Sequence, residues 1–123
     1  MSQYLPIFRP GDTVTCIATS DITGGQPVQV GTNNSERSVE PAAAGSASYV
    51  GIAGHDAATG DRVTIEVGKT IHLLTAVGQI VRGALVEAAE GGVRAIDEET
   101  GGQPFGLALV AANDGDDVQI LQR

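Results

Sequence analysis

The sequence contains one stretch twice: GIAGHDAATGDRVTIEV at residues 51–67 and, in diverged form, GLALVAANDGDDVQILQ at residues 106–122. The identical positions pair Gly51 with Gly106, Ala53 with Ala108, Ala57 with Ala112, Gly60 with Gly115, Asp61 with Asp116, Val63 with Val118 and Ile65 with Ile120. Each copy has a short apolar run, then a Gly-Asp turn, then alternating apolar residues, which is the period of a half-buried strand. The stretch therefore predicts a strand–turn–strand scaffold and not an active site.

The repeat extends beyond this stretch. Upstream residues echo downstream ones in the same order: Thr13 and Val14 match Thr70 and Ile71, and Ile22, Gly25 and Val28 match Ile80, Gly83 and Val86. Several blocks in one order favour duplication over chance. The sequence predicts an all-β fold, a small barrel or sandwich built from two duplicated β-rich halves, about residues 11–67 and 68–123. These form one domain, 11–123, behind an extended N-terminal arm, 1–10.

Composition and charge limit the function. The chain has 123 residues, a net charge of −8, 3% aromatic residues and no Trp. A core of Val, Ile, Leu and Ala gains from further burial in an oligomer or on a partner. The acidic balance argues against nucleic-acid binding, because no basic patch is present to neutralise phosphate. No export signal or apolar run of about 20 residues opens or interrupts the chain, so we expect a soluble protein with no membrane segment.

The arm, MSQYLPIFRP, carries Tyr4, Leu5, Ile7, Phe8 and Arg9 between and beside its two prolines. The prolines keep it extended and out of a helix. Exposed apolar side chains on an extended segment favour docking onto another chain, for example by adding a strand to a sheet edge. The alternative is that the same apolar residues fold back onto their own core as a first strand, and alternation alone does not separate the two.

The connecting segments are predicted from their turn residues. Residues 31–48 are small, polar and interrupted by Pro and Gly, which predicts a long surface loop with a short strand around Val39. In the second half, residues 85–89 and 93–96 flank a Glu-Gly-Gly turn and predict a hairpin. The carboxylates at 97–99 are interpreted as a solvated charge run. Cys16 lies in an alternating apolar run and is predicted to be a buried core residue.

Three patterns resemble functional motifs but lack their requirements. Residues 68–70, Gly-Lys-Thr, match the end of a phosphate-binding loop, but Val63 stands where its first glycine is required, and a strand rather than a helix follows. Residues 68–69 are therefore interpreted as the turn that joins the halves. His55 and His72 lack a metal or triad spacing, and Val110 replaces His55 in the second copy. The acidic run 113–117 lacks a calcium-loop frame. We expect no catalytic, cofactor-binding or metal-binding residues.

The arrangement resembles the capsid cement, or head decoration, proteins of tailed bacteriophages. The resemblance covers nearly the whole chain and depends on the combination of an extended opening segment with turn and strand patterns. These patterns lie at residues 11–15, 25–28, 50–53, 60–65, 68–73, 83–86, 105–109 and 118–121. It implies a structural virion protein, not an enzyme, that is made in the host cytoplasm and binds the outer surface of the mature head.

The resemblance further implies a partner and a mode of binding. The partner is the major capsid protein, whose neighbouring subunits the chain ties together as a homo-oligomer, with a trimer favoured. On this hypothesis Tyr4, Leu5, Ile7, Phe8 and Arg9 contact the capsid, with the loop at 31–48 as the other candidate for the main contact. Two alternatives remain: a tail or baseplate connector on the same kind of barrel, and a ligand-binding β-barrel with the 31–48 loop over its pocket.

Overall fold

The computed structural model describes residues 13–33, 36–68, 70–96 and 103–122, which form ten strands and no helix. The strands are β1 (Thr13–Ala18), β2 (Pro27–Val30), β3 (Ser38–Pro41), β4 (Tyr49–Ala53), β5 (Arg62–Glu66), β6 (Ile71–Thr75), β7 (Leu85–Ala89), β8 (Gly92–Ala95), β9 (Gly106–Ala108) and β10 (Asp117–Gln122). The all-β class is confirmed. We call β1–β5 the first half and β6–β10 the second half.

The first half is a closed barrel with the strand order β1-β3-β2-β4-β5. β1 closes it, because it pairs antiparallel with β5 through Thr13 and Glu66 and parallel with β3 through Ile17 and Ser38. Alternation places one set of side chains inside and the other outside. In β1, for example, Val14, Cys16 and Ala18 are buried.

The second half repeats this topology. Its sheet has the order β6-β10-β9-β7-β8. A parallel bridge between Ala76 and Val93 joins the ends of this sheet, as the parallel pairing of β1 with β3 does in the first half. The registers also match: Leu74 opposes Val118 as Cys16 opposes Val63, and Leu107 opposes Leu121 as Ile52 opposes Glu66. The duplication expected from the sequence is therefore present in the pairing of each equivalent strand. The match of Thr13 and Val14 with Thr70 and Ile71 was wrong by one position, because Ile71 opposes Leu121 as Thr13 opposes Glu66.

The repeated Gly-Asp turns occupy equivalent places. Gly60 and Gly115 have φ angles of 90° and 85°, a region that favours glycine. Their amides donate hydrogen bonds to the carbonyls of Ala18 (2.7 Å) and Ala76 (2.8 Å), which end β1 and follow β6. The identical glycines are thus explained by one turn that is used twice.

Each half has its own aliphatic core. The first contains Val28, Val63 and Ile65, and the second contains Val86, Ile120 and the fully buried Phe105. Cys16 lies in the first core as predicted, with 3% of its surface exposed. Burial raises the pKa of its thiol, against a smaller lowering by the charge of Arg37.

The halves are held together by contacts around the start of β4. The Tyr49 hydroxyl donates to the carbonyl of Pro104 at 2.8 Å, and its ring lies 4.9 Å from that of Phe105. The side-chain amide of Gln122 donates a hydrogen bond to the carbonyl of Val50 at 3.5 Å. Ile52 is 3% exposed and belongs to the core of the second half. The first half therefore packs onto the second through β4.

The segment 31–48 differs from the predicted surface loop. The short strand around Val39 is confirmed as β3, but Ala42 is buried, and the Gly45 amide donates to the carbonyl of Ala88 in the second half at 2.8 Å. Small residues allow this close approach of two backbones. The prediction of a long surface loop was wrong for Ala42 and Gly45, because this part of the segment connects the halves.

Candidate functional site

The predicted capsid-contact residues are not placed by the structure. Tyr4, Leu5, Ile7, Phe8 and Arg9 all lie outside the described residues, as do the carboxylates at 97–99 and Lys69. The arm contact therefore stays a prediction.

His55 forms hydrogen bonds to the neighbouring residue Asp56 and to β5. Its Nε2 accepts the amide of Thr64 at 3.2 Å, and its Nδ1 lies 2.9 Å from the carbonyl of Asp56. A single neutral tautomer, with the proton on Nδ1, satisfies both contacts. Asp56 in turn accepts the amide of Gly24 at 2.7 Å. The imidazole thus braces the turn.

Carboxylates also brace the loops at the same end of each half. Asp21 accepts the amide and the hydroxyl of Thr59 at 2.9 and 3.0 Å, and these bonds lower the pKa of its carboxyl. Asp114 accepts the amide of Gly78 at 2.8 Å, which agrees with the interpretation of 113–117 as a turn. Across residues 13–33, 36–68, 70–96 and 103–122, no three His, Cys, Asp or Glu residues are placed to hold a metal ion.

An ion pair with one buried member joins β7 to β8. Glu87 is fully buried, and its Oε1 accepts a hydrogen bond from Arg94 Nε on β8 at 2.9 Å. Its Oε2 has no hydrogen-bond partner. The equivalent pair in the first half is Gln29 and Glu40, whose side chains are 3.0 Å apart. A buried charge with one partner stabilises little, but it costs much when that partner is lost.

A cleft of about 250 Å³ lies between the loops that follow β6 and β9. Gln79, Asn113, Asp116 and Asp117 are its polar lining residues. The part of the lining that the structure describes contains no histidine, cysteine, serine or lysine side chain. The described residues contain no helix that is long and apolar enough to cross a membrane.

The largest unexplained feature is a row of aliphatic side chains on the outside of the second half. Ile71 on β6 opposes Leu121 on β10, Leu121 opposes Leu107 on β9, and Leu107 opposes Leu85 on β7. The neighbours of these residues along each strand, such as Ile120 and Val86, point into the core, so the row points outward. We call these four residues the outer row.

The outer row is accessible to solvent. Ile71 is 58% exposed and Leu85 40%, while Leu107 and Leu121 are partly exposed. Leu73 lies next to the row on the same face of β6 and is 64% exposed. Exposed valines at 77, 81 and 110 lie in the loops of the same half. In the described part of the first half, Val30 is the one large aliphatic residue with comparable exposure.

The outer row was not predicted from the sequence. The available signal was the run Ile71-His72-Leu73-Leu74, in which apolar residues occupy both faces of one strand. Alternation assigns a single buried face to a strand, so an apolar outer face is noticed only when the register is known.

A profile of the phage cement protein family matches residues 8–123 of this chain. The chain belongs to the phage cement protein family. The resemblance found in the sequence is thereby confirmed, and the cement protein has a structural, capsid-associated role in a phage particle. The match includes Phe8 and Arg9 of the predicted contact residues, and it begins after Tyr4, Leu5 and Ile7.

The fold of this chain is similar to that of a phage protein whose structure is solved. The N base of the head fiber of bacteriophage phi29 matches with a TM-score of 0.68 and 18% sequence identity, over 91% of this chain and 93% of that one. At this identity the match shows a shared fold. Comparison with curated proteins gives no match.

Proposed function

We propose that the cement protein binds the outer surface of the mature phage head and ties neighbouring major capsid subunits together. The observation that carries this proposal is the family match over residues 8–123. The role is structural and not enzymatic, and it is consistent with the bracing contacts of His55, Asp21 and Asp114 inside the two halves. The chain acts as a trimer in this proposal, as the resemblance implies.

The mechanism is thermodynamic. A protein that binds the mature lattice and not its disassembled subunits stabilises that lattice by mass action, by about 2.7 kcal/mol per site when its free concentration is 100 times its Kd. A copy that spans two or more capsid subunits adds the benefit of multivalent attachment. Many copies on one head together oppose the pressure of the packaged DNA.

The arm is the proposed capsid contact. β1 begins at Thr13, which pairs with Glu66 at the end of β5, so the arm is attached to the chain at this rim of the barrel. Ten extended residues span roughly 35 Å, which is enough to reach a neighbouring protein. The net charge of −8 favours a body that faces solvent, with Tyr4, Leu5, Ile7, Phe8 and Arg9 directed to the capsid.

Deletion of residues 1–10 tests the arm. We expect the truncated protein to keep its circular dichroism spectrum and thermal midpoint but to lose binding to purified heads. A matched control replaces Ser2 and Gln3 with alanine, which leaves the five proposed contact residues in place. Unchanged occupancy after the deletion would contradict the arm contact. Failure of the intact protein to bind heads, with binding to purified tails instead, would favour the connector alternative.

A further inference from the structure

The duplication supplies an internal comparison for the aliphatic surface. Six outward positions of the second half are aliphatic, while their equivalents in the first half are polar: Ile71 and Thr13, Leu73 and Thr15, Val77 and Thr19, Val81 and Thr23, Val110 and His55, and Leu121 and Glu66. The two sets occupy the same places in the same fold. The fold therefore does not require aliphatic side chains there.

The other two members of the outer row have buried equivalents in the first half. Leu85 and Leu107 are equivalent to Pro27 and Ile52 of the first half, as the matching registers show. Pro27 and Ile52 are buried, and Ile52 belongs to the core of the second half. At Ile52, the position equivalent to Leu107 is thus covered by the other half of the chain, whereas Leu107 itself is partly exposed.

We propose that the outer row, together with Leu73, is the surface through which one copy of this chain contacts a second copy. The inference rests on the oligomer in the proposed function and names the surface that forms it. The cover seen in the first half is another half of the same chain, so a second copy offers a surface of the same kind. Interfaces that persist are more apolar than the rest of a protein surface.

Charge makes this face better suited than other faces for contact between two copies. Each copy carries a net charge of −8, so contact through most surfaces would bring like charges together. Ile71, Leu73, Leu85, Leu107 and Leu121 carry no charge. Asp117 is on the same face of β10 but at the far end, opposite Thr75. Contact through the row, whose residues are uncharged, avoids most of this repulsion.

The test uses substitutions that the first half already carries. The variant Ile71→Thr, Leu73→Thr, Leu121→Glu copies Thr13, Thr15 and Glu66 onto the equivalent positions. We expect the intact protein to be an oligomer at micromolar concentration by sedimentation equilibrium and light scattering, and the variant to be a monomer, with association weakened at least 100-fold. Val30→Thr, at the exposed valine of the first half, is the matched control and stays oligomeric.

A second variant keeps the test decisive if the triple variant does not fold. Leu73→Glu changes one side chain that is 64% exposed, so it leaves the core intact and should also weaken association. Two results would overturn the inference. One is an intact protein that stays monomeric up to 100 times the micromolar concentration of the first experiment. The other is a folded triple variant that assembles like the intact protein. A variant that keeps its oligomer but loses binding to heads would also overturn it, because the row would then face the capsid.

Head binding is measured separately, so the two proposals can fail separately. If the intact protein is a monomer in solution and on heads, the copy contact and the trimer fail while the proposed binding to the capsid stands. If the intact protein assembles through the row but binds no part of the head, the proposed function fails while the copy contact stands.

Discussion

Replacement of Arg94 by alanine is expected to destabilise the second half through Glu87. The Glu87 carboxylate is fully buried, its Oε1 depends on Arg94 Nε at 2.9 Å, and its Oε2 has no partner. Loss of one member of a buried ion pair costs about 3–5 kcal/mol. Because the Arg94 side chain is 38% exposed, the pair is partly screened, and we expect a loss of about 2–3 kcal/mol. For a chain of this length that is a fall in Tm of roughly 6–15 °C.

Urea denaturation followed by circular dichroism measures this loss as a fall in the midpoint at an unchanged m value. Arg82→Ala removes an exposed arginine of the same half and should stay within about 0.5 kcal/mol of the parent. The double variant Glu87→Gln, Arg94→Glu copies the pair Gln29 and Glu40 and should recover all but about 1 kcal/mol, because the buried charge is gone. A loss below about 0.5 kcal/mol in Arg94→Ala would refute the reasoning.

Three further outcomes are expected. Gly51→Ala should lower the free energy of unfolding in urea by more than about 2 kcal/mol, because the added methyl group would overlap the Glu66 carbonyl. Gly115 has a left-handed backbone and open space around it, so Gly115→Asn should lower the same free energy by less than about 1 kcal/mol. The folded-state pKa of Asp21 is lowered by Thr59, so its stabilisation is complete above the ordinary pKa and is lost as pH falls through the folded value. Asp21→Asn should therefore flatten the fall of Tm between about pH 5 and 2, and an unchanged slope would contradict this. Since burial raises the pKa of Cys16, iodoacetamide at pH 8 should label it only after unfolding, and rapid labelling of the folded protein would show an accessible thiol.

The strands were largely predictable because their signals are local. The limits of β1 follow from alternation, and those of β4 and β7 follow from short apolar runs next to glycine-containing turns. The Gly-Asp repeat located Gly60 and Gly115 in equivalent turns. Closure of the barrel was not predictable to the same degree. It depends on the parallel pairing of Ile17 with Ser38, residues far apart in sequence with no pattern that marks them as neighbours.

The surfaces were less predictable than the strands. Glu87 lies in a strand where a carboxylate is expected to face water, and its burial results from tertiary contacts that sequence periodicity does not report. The outer row depends on register across four strands, so no single segment reveals it. The comparison of Thr13 and Thr15 with Ile71 and Leu73 becomes informative only after the structure shows that they occupy equivalent positions.

The most direct test of the proposed function is the binding of the purified, full-length protein to heads that lack it. Saturable binding to expanded, mature heads, with a fixed number of copies per head and little binding to unexpanded heads or to tails, is the predicted result. Binding would be counted from pelleted particles and located by electron microscopy. Absence of binding to mature heads, or equal binding to tails, would contradict the assignment of this chain to the outer surface of the capsid.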